Sequence, residues 1–182
     1  MPAKDTLKNV FPVILLTVVV AVSVTLLAFT DSFTRDRIEA QEEQKVQSML
    51  SEMFPDMSRY DFKDDIYILY SDGEKVGYAF IAIGKGYGGD INILVGLEDA
   101  ETIKGITIIS HEETPGLGSR IAEPFFTEQF TGINVGDVAL SRDGGQIDAI
   151  TSSTISSSAV VDAVRATAME KVKLLEDNEE GG

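Results

Sequence analysis

From Val10 to Phe29 the chain runs through twenty consecutive residues without a charge, VFPVILLTVVVAVSVTLLAF, and no other stretch limits its fold so strongly. A helix of that length rises roughly 30 Å at about 1.5 Å per residue, which matches the hydrocarbon core of a bilayer. The apolar region of a cleaved signal peptide is shorter, about 7 to 15 residues, and a small-x-small cleavage site should follow it. The residues that do follow, TDSFTRDR, hold no convincing site. The run therefore reads as an uncleaved transmembrane helix over residues 10–29, with Pro12 tolerated in its first turn. Lys4 and Lys8 precede the span while Arg35, Arg37 and Lys45 follow it, so the basic residues leave its orientation open.

With the anchor set aside, the rest of the 182 residues suffices for one domain. There is no cysteine, which excludes disulfides, thiolate-held iron and sulfur clusters and a cysteine nucleophile. The single histidine, His111, cannot supply a multi-imidazole zinc or di-iron centre, and a carboxylate-only metal site is all that stays open. Any electrons this chain handles must ride on an organic cofactor. After residue 30, 13 basic residues face 29 acidic ones, a charge of −16. That field repels nucleic acid and anionic headgroups, and its ordinary role is to keep an exposed domain soluble.

Residues 30–55 place Phe33, Ile38, Val46, Met49, Leu50 and Met53 on one helical face, and Pro55 ends the pattern. A connecting helix is expected there, leading into a domain over 56–176. Within DIYILYSDGEKVGYAFIAIG the Ser71-Asp72-Gly73-Glu74 segment separates two β-rich runs, and Asp-Gly adopts positive φ cheaply, so a hairpin is predicted. INILVGLE and TIKGITIIS extend the pattern to four strands between Ile66 and Ser110. GQIDAIT reads as a further short strand. SSSAVVDAVRATAMEKVKLLE reads as a helix with Ala159, Val160, Ala163, Val164, Ala168, Val172 and Leu175 on its apolar side and serines as its caps. Strands followed by helices make an α+β domain, a twisted antiparallel sheet flanked by helices. The tail 177–182 reads as disordered.

Three polar or glycine-rich segments lie beside apolar strands: GKGYGG (84–89), HEETPGLG (111–118) and TSSTISSS (151–158). The first lacks the spacing of a dinucleotide loop. It is either a plain turn or a place where backbone approaches a flat ligand beside the Tyr87 ring. The second is either a turn with solvated carboxylates or a mixed polar and apolar wall made by Glu113, Thr114 and Leu117. His111 is read as structural. The third holds seven hydroxyls in eight residues before a helix, more than capping uses. It is either a serine-rich turn or a phosphate site, and no basic residue stands near it in the sequence, which favours a phosphate held covalently or by N–H groups.

In this order behind one anchor, the three segments resemble the FMN-binding domain family, in the branch found in Rnf complexes and in sodium-pumping NADH:quinone reductases. The motif D-x-x-[ST]-x-x-T, read from Asp148 through Thr151 to Thr154, is the most telling piece after the two glycine-bearing segments. In that family a flavin transferase joins FMN to the last threonine through a phosphoester. The resemblance therefore implies covalent FMN on Thr154, with Thr151, Ser152 and Ser153 around the phosphate. It implies flavin contacts from Gly86, Tyr87, Gly88, Glu113, Thr114, Gly116 and Leu117, and no catalytic or metal-binding side chain. Family members commonly carry Gly-Ala where this chain has Ser152-Ser153, and Ser153 is a competing acceptor.

The resemblance further implies a cell-membrane location, with residues 1–9 cytoplasmic, one span in the lipid bilayer and the domain extracytoplasmic. It implies other Rnf-type subunits as partners and electron transfer from reduced ferredoxin to NAD coupled to Na⁺ or H⁺ translocation. Two other expectations are weighed: a stand-alone membrane-anchored flavin reductase, and a cofactor-free assembly or anchor protein.

Overall fold

The structure is a computed structural model that describes residues 3–180 and, within them, the side chains of 12–27, 29 and 44–177. The chain divides into two units, Met1–Lys45 and Val46–Gly182. The first helix, α1, spans Ala3–Met53. The expected span and the connecting helix are thus one element. Pro12 is the tenth residue of α1 and not a first-turn residue, because the helix extends back through Lys4–Asn9. There its ring removes one backbone hydrogen bond from the helix interior.

In the first unit the described part of the charge-free run is exposed all round, from Val13 (62%) to Leu27 (70%). Two of its hydroxyls are satisfied inside the helix, Thr17 Oγ1 donating to Val13 O (2.8 Å) and Thr25 Oγ1 to Ala21 O (2.7 Å). Among the described residues no helix is long and apolar enough to cross a membrane. The span expected over 10–29 includes side chains outside the described set, and so do Phe33 and Ile38.

In the second unit five antiparallel strands follow one another in chain order: β1 Arg59–Lys63, β2 Ile66–Ser71, β3 Glu74–Lys85, β4 Asp90–Leu97 and β5 Ile103–His111. The predicted hairpin forms, with Asp72 (φ 49°) and Gly73 (φ 91°) between Ser71 and Glu74. A second two-residue turn, Asp64 (φ 54°) and Asp65 (φ 59°), joins β1 to β2. Positive φ at both positions gives the turn a twist that matches its strands. β1 was not expected because RYDFK buries almost nothing: it is an edge strand with one half-covered residue, Tyr60.

Period-2 alternation gives the sheet two apolar faces. Phe80, Ala82, Ile91, Ile93, Val95 and Ile106 pack against Val160, Val161, Val164 and Ala168 of α3 (Thr154–Glu180), and against the segment between β5 and α3. The opposite face, with Leu69, Ala79 and Leu94, takes Leu50 and Phe54, with Val46, Met49 and Met53 alongside. Glycines permit that approach: a methyl group on Gly96 would lie 2.2 Å from Met53 Sδ, and one on Gly77 2.6 Å from Phe54 Cε1. A fully buried leucine such as Leu50 contributes roughly 2 kcal/mol.

Two expectations need correction. GQIDAIT forms no strand, only the isolated parallel bridge Leu140↔Ile147. Its backbone groups are taken by neighbouring loops: Ile147 O accepts from Ser141 N–H (2.8 Å), and Asp148 N–H donates to Gln129 Oε1 (2.7 Å). α3 also begins at Thr154, so Ser156, Ser157 and Ser158 lie in its opening turns and do not precede it. Its helical backbone reaches Glu180, further than the expected start of the tail at 177; Gly181 and Gly182 lie outside the described residues. The segment after β5 is irregular, with a short α2 at Pro124–Thr127 and four 3-10 turns.

Candidate functional site

The three polar segments of the sequence meet on one side of the domain. The β3–β4 loop closes through Gly86 N–H donating to Gly89 O (2.9 Å). The segment leaving β5 turns at Thr114–Leu117, where Gly116 is left-handed (φ 76°) and donates its N–H to Ser119 Oγ (2.9 Å). α3 starts against both. Between them lies a cleft of about 540 Å³.

Glu113 holds the three segments together. It is 5% exposed, and it accepts Gly88 N–H on Oε1 (2.9 Å) and the Ser156 hydroxyl on Oε2. Its own N–H donates to His111 Nδ1 (3.2 Å), which gives the single histidine a positioning role. Among the described residues no ion pair involves Glu113; its partners are neutral donors. The glycines around it are dictated by space. A methyl group would come within 2.1 Å of Glu113 Oε1 from Gly86, and within 2.3 Å of Oε2 from Gly118. On Gly88 it would meet the Glu112 carbonyl oxygen at 2.0 Å.

Of the residues singled out from sequence, Tyr87, Glu113, Thr114, Leu117, Ser152, Ser153 and Thr154 line the cleft. Gly86 and Gly88 stand behind it against Glu112 and Glu113. Gly116 shapes the turn, and neither it nor Thr151 is part of the lining. Sequence reasoning missed Gly118, Ile155 and Ser156. Ser156 carries a usable signal, since it stands two residues after Thr154 in a hydroxyl run too long for capping.

At the start of α3 the hydroxyls divide by burial. Ser157 is fully buried and bridges Ile150 N–H (3.0 Å) and Ser153 O (3.1 Å), which fixes the entry into the helix. Ser153 is buried at 6%, whereas Thr154 is exposed. Ser152 is left-handed at φ 68°, a conformation that costs a non-glycine residue about 1–2 kcal/mol. Glycine adopts this conformation at no such cost. Replacing Ser152 by Gly relieves that strain, while glycine's extra chain entropy returns up to about 1 kcal/mol. The expected gain of about 0.5 kcal/mol raises the melting temperature of the full chain in detergent by roughly 2 °C. An unchanged or lower melting temperature would sink this account.

The arrangement suits a ligand with a flat ring and a phosphate. Tyr87, Leu117 and Ile155 leave 76%, 50% and 58% of their surface exposed around the cleft, and a ring would cover it. The first-turn N–H groups of α3 and the Thr154 hydroxyl stand where an anion is favoured.

Residues 86–169 match the FMN-binding domain model and residues 7–53 match the RnfG N-terminal region. The G subunit of the ion-translocating oxidoreductase complex from Methanosarcina acetivorans is 34% identical over 168 residues, covering 85% of this chain and 89% of that protein. The Pseudoalteromonas atlantica protein of the same name is 33% identical, with 79% of each covered. Among solved structures, Shewanella oneidensis NqrC aligns at 19% identity with a TM-score of 0.49, over 67% of this chain and 74% of that one. By the matched regions and by identity over most of its length, the chain belongs to the RnfG family, whose members are components of ion-translocating oxidoreductase complexes.

Proposed function

We propose that this chain carries one FMN, bonded through its phosphate to Thr154 Oγ, and relays electrons as a membrane-anchored component of an Rnf-type ion-translocating oxidoreductase. The observation that carries the reading is the burial contrast at the start of α3. Thr154 is exposed on the cleft, while the competing acceptor Ser153 is covered.

Attachment requires a flavin transferase and a flavin dinucleotide. The Thr154 Oγ–P bond forms as the pyrophosphate P–O bond breaks, AMP leaves, and the hydroxyl proton passes to the transferase or to solvent. FMN supplies one- and two-electron transfer once bound. The residues of this chain hold and shield it. Tyr87, Leu117 and Ile155 cover its ring, Ser152 and Ser153 flank the phosphate, and Glu113 keeps the two glycine-bearing segments against α3. No side chain here acts on a substrate, and a tether prevents loss of the cofactor on the extracytoplasmic side. Intact-mass measurement after co-expression with a flavin transferase tests the attachment.

Family membership supports a coupled reaction in which electrons pass from reduced ferredoxin to NAD while Na⁺ or H⁺ crosses the membrane, with the other Rnf-type subunits as partners. Residues 10–29 anchor the chain in the bilayer with residues 1–9 in the cytoplasm and 56–176 outside. The charge-free run and the internal satisfaction of Thr17 and Thr25 support the anchor, since a helix in lipid must satisfy its polar groups itself. The full chain is expected to stay with membranes through alkaline carbonate washing; its release into the wash would refute the anchor.

A further inference from the structure

We propose that Arg142 is the cation that receives the phosphate attached at Thr154. The proposal rests on the attachment reading and gives it a residue that the sequence placed out of sight, twelve positions upstream. The 3-10 turn Ser141–Asp143 brings Arg142 to the start of α3, where its Nη2 donates to Ser158 Oγ at 2.9 Å. Ser158 and Thr154 are four residues apart in α3, on the same helix face and about 6 Å along the axis. The guanidinium therefore stands one turn from the acceptor hydroxyl. It is half exposed, and a modest rotation of its long side chain spans that turn.

The turn that carries Arg142 is fixed in place. Gly144 is left-handed (φ 89°), and a methyl group on Gly145 would meet the Ala139 carbonyl oxygen at 2.0 Å. Ser141 Oγ donates to Asp148 Oδ1 at 2.6 Å, so the aspartate that opens the D-x-x-[ST]-x-x-T motif tethers the arginine turn. That gives Asp148 a positioning role without requiring it to touch the flavin. Asp143 Oδ2 accepts from Arg142 Nε at 3.2 Å, which leaves Nη2, already on Ser158 of the helix, as the donor for a phosphate oxygen.

The test loads the full chain, its Arg142→Gln and Arg142→Lys variants and Thr154→Ala with a flavin transferase and a flavin dinucleotide. Loading is followed by intact mass, and the loaded proteins are compared by ³¹P NMR. Arg142→Gln is expected to load about tenfold more slowly and, once loaded, to show a displaced phosphodiester resonance; Arg142→Lys falls between it and the parent in both. A ³¹P resonance that stays put in loaded Arg142→Gln overturns the contact whatever its loading rate, because a role in transferase docking alone leaves the bound phosphate unchanged. Equal displacement in both variants also overturns it, since the charge would then be irrelevant. Loading of Thr154→Ala overturns the attachment reading itself, separately from Arg142.

Discussion

Thr154→Ala is expected to abolish covalent flavin completely: co-expressed with a flavin transferase, the parent chain gains one FMN minus one water and the variant gains nothing. The effect is all or none because the bond needs a hydroxyl, and the alternatives around it are committed elsewhere. Ser153 is buried, and its carbonyl accepts from both the N–H and the hydroxyl of Ser157. The hydroxyl of Ser156 is held by Glu113 and that of Ser158 by Arg142. Ser152 lies in a left-handed turn before the helix begins. Stability should change little, since Thr154 is exposed at the first position of α3; the variant should melt within about 2 °C of the unmodified parent. A mass gain retained in Thr154→Ala would move the attachment to a neighbouring serine. A gain absent from both proteins would mean that Ser152-Ser153 has ended recognition by the transferase, and the cofactor-free reading would replace this one.

The parts of this domain that were readable in the sequence are those whose signal is local. The Asp72-Gly73 hairpin, the four strands β2–β5 and the apolar side of α3 follow from positive-φ turn chemistry and from period-2 and period-3.6 patterns, which act over a few residues. β1 escaped because an edge strand needs no apolar face, and its only mark is the Asp64-Asp65 turn, where two aspartates do the work expected of Asn-Gly. GQIDAIT misled because buried Ile147 and Ile150 imitate a strand, although their burial comes from packing beneath α3 and not from a sheet partner. At the site, the hydroxyl run and the glycines were visible, but their purposes were not. Gly86, Gly88 and Gly118 exist to clear Glu112 and Glu113, contacts across 24 to 27 residues for two of them, and no sequence window shows such a contact. Arg142 is the same case, invisible until the chain folds back on α3.

Glu113→Ala is expected to be the most destabilising single change at the site. The carboxyl group is the common acceptor for the β3–β4 loop and for the first turn of α3, and it sits in the segment that leaves β5. Removing it strands the Gly88 N–H and the Ser156 hydroxyl, the latter on a residue only 2% exposed, at about 1–3 kcal/mol for each unsatisfied group. It also empties space that two glycines, Gly86 and Gly118, leave for the carboxyl group. A loss of roughly 3 kcal/mol corresponds to a fall in melting temperature of about 10 °C for a domain of this size. Glu113→Gln separates hydrogen bonding from volume, because its amide oxygen still accepts Gly88 N–H while its NH₂ group forces the Ser156 hydroxyl to turn and accept. It should lose about half as much. Covalent flavin should follow the same order, with incorporation into Glu113→Ala reduced more than into Glu113→Gln, since the loop bearing Tyr87 no longer has a fixed place beside Thr154. Thermal unfolding of the two variants, read with and without bound FMN, decides the matter. If Glu113→Ala melts within about 2 °C of the parent, the carboxyl group is not the clamp that assembles this cleft, and the three segments must be held by the sheet and α3 alone.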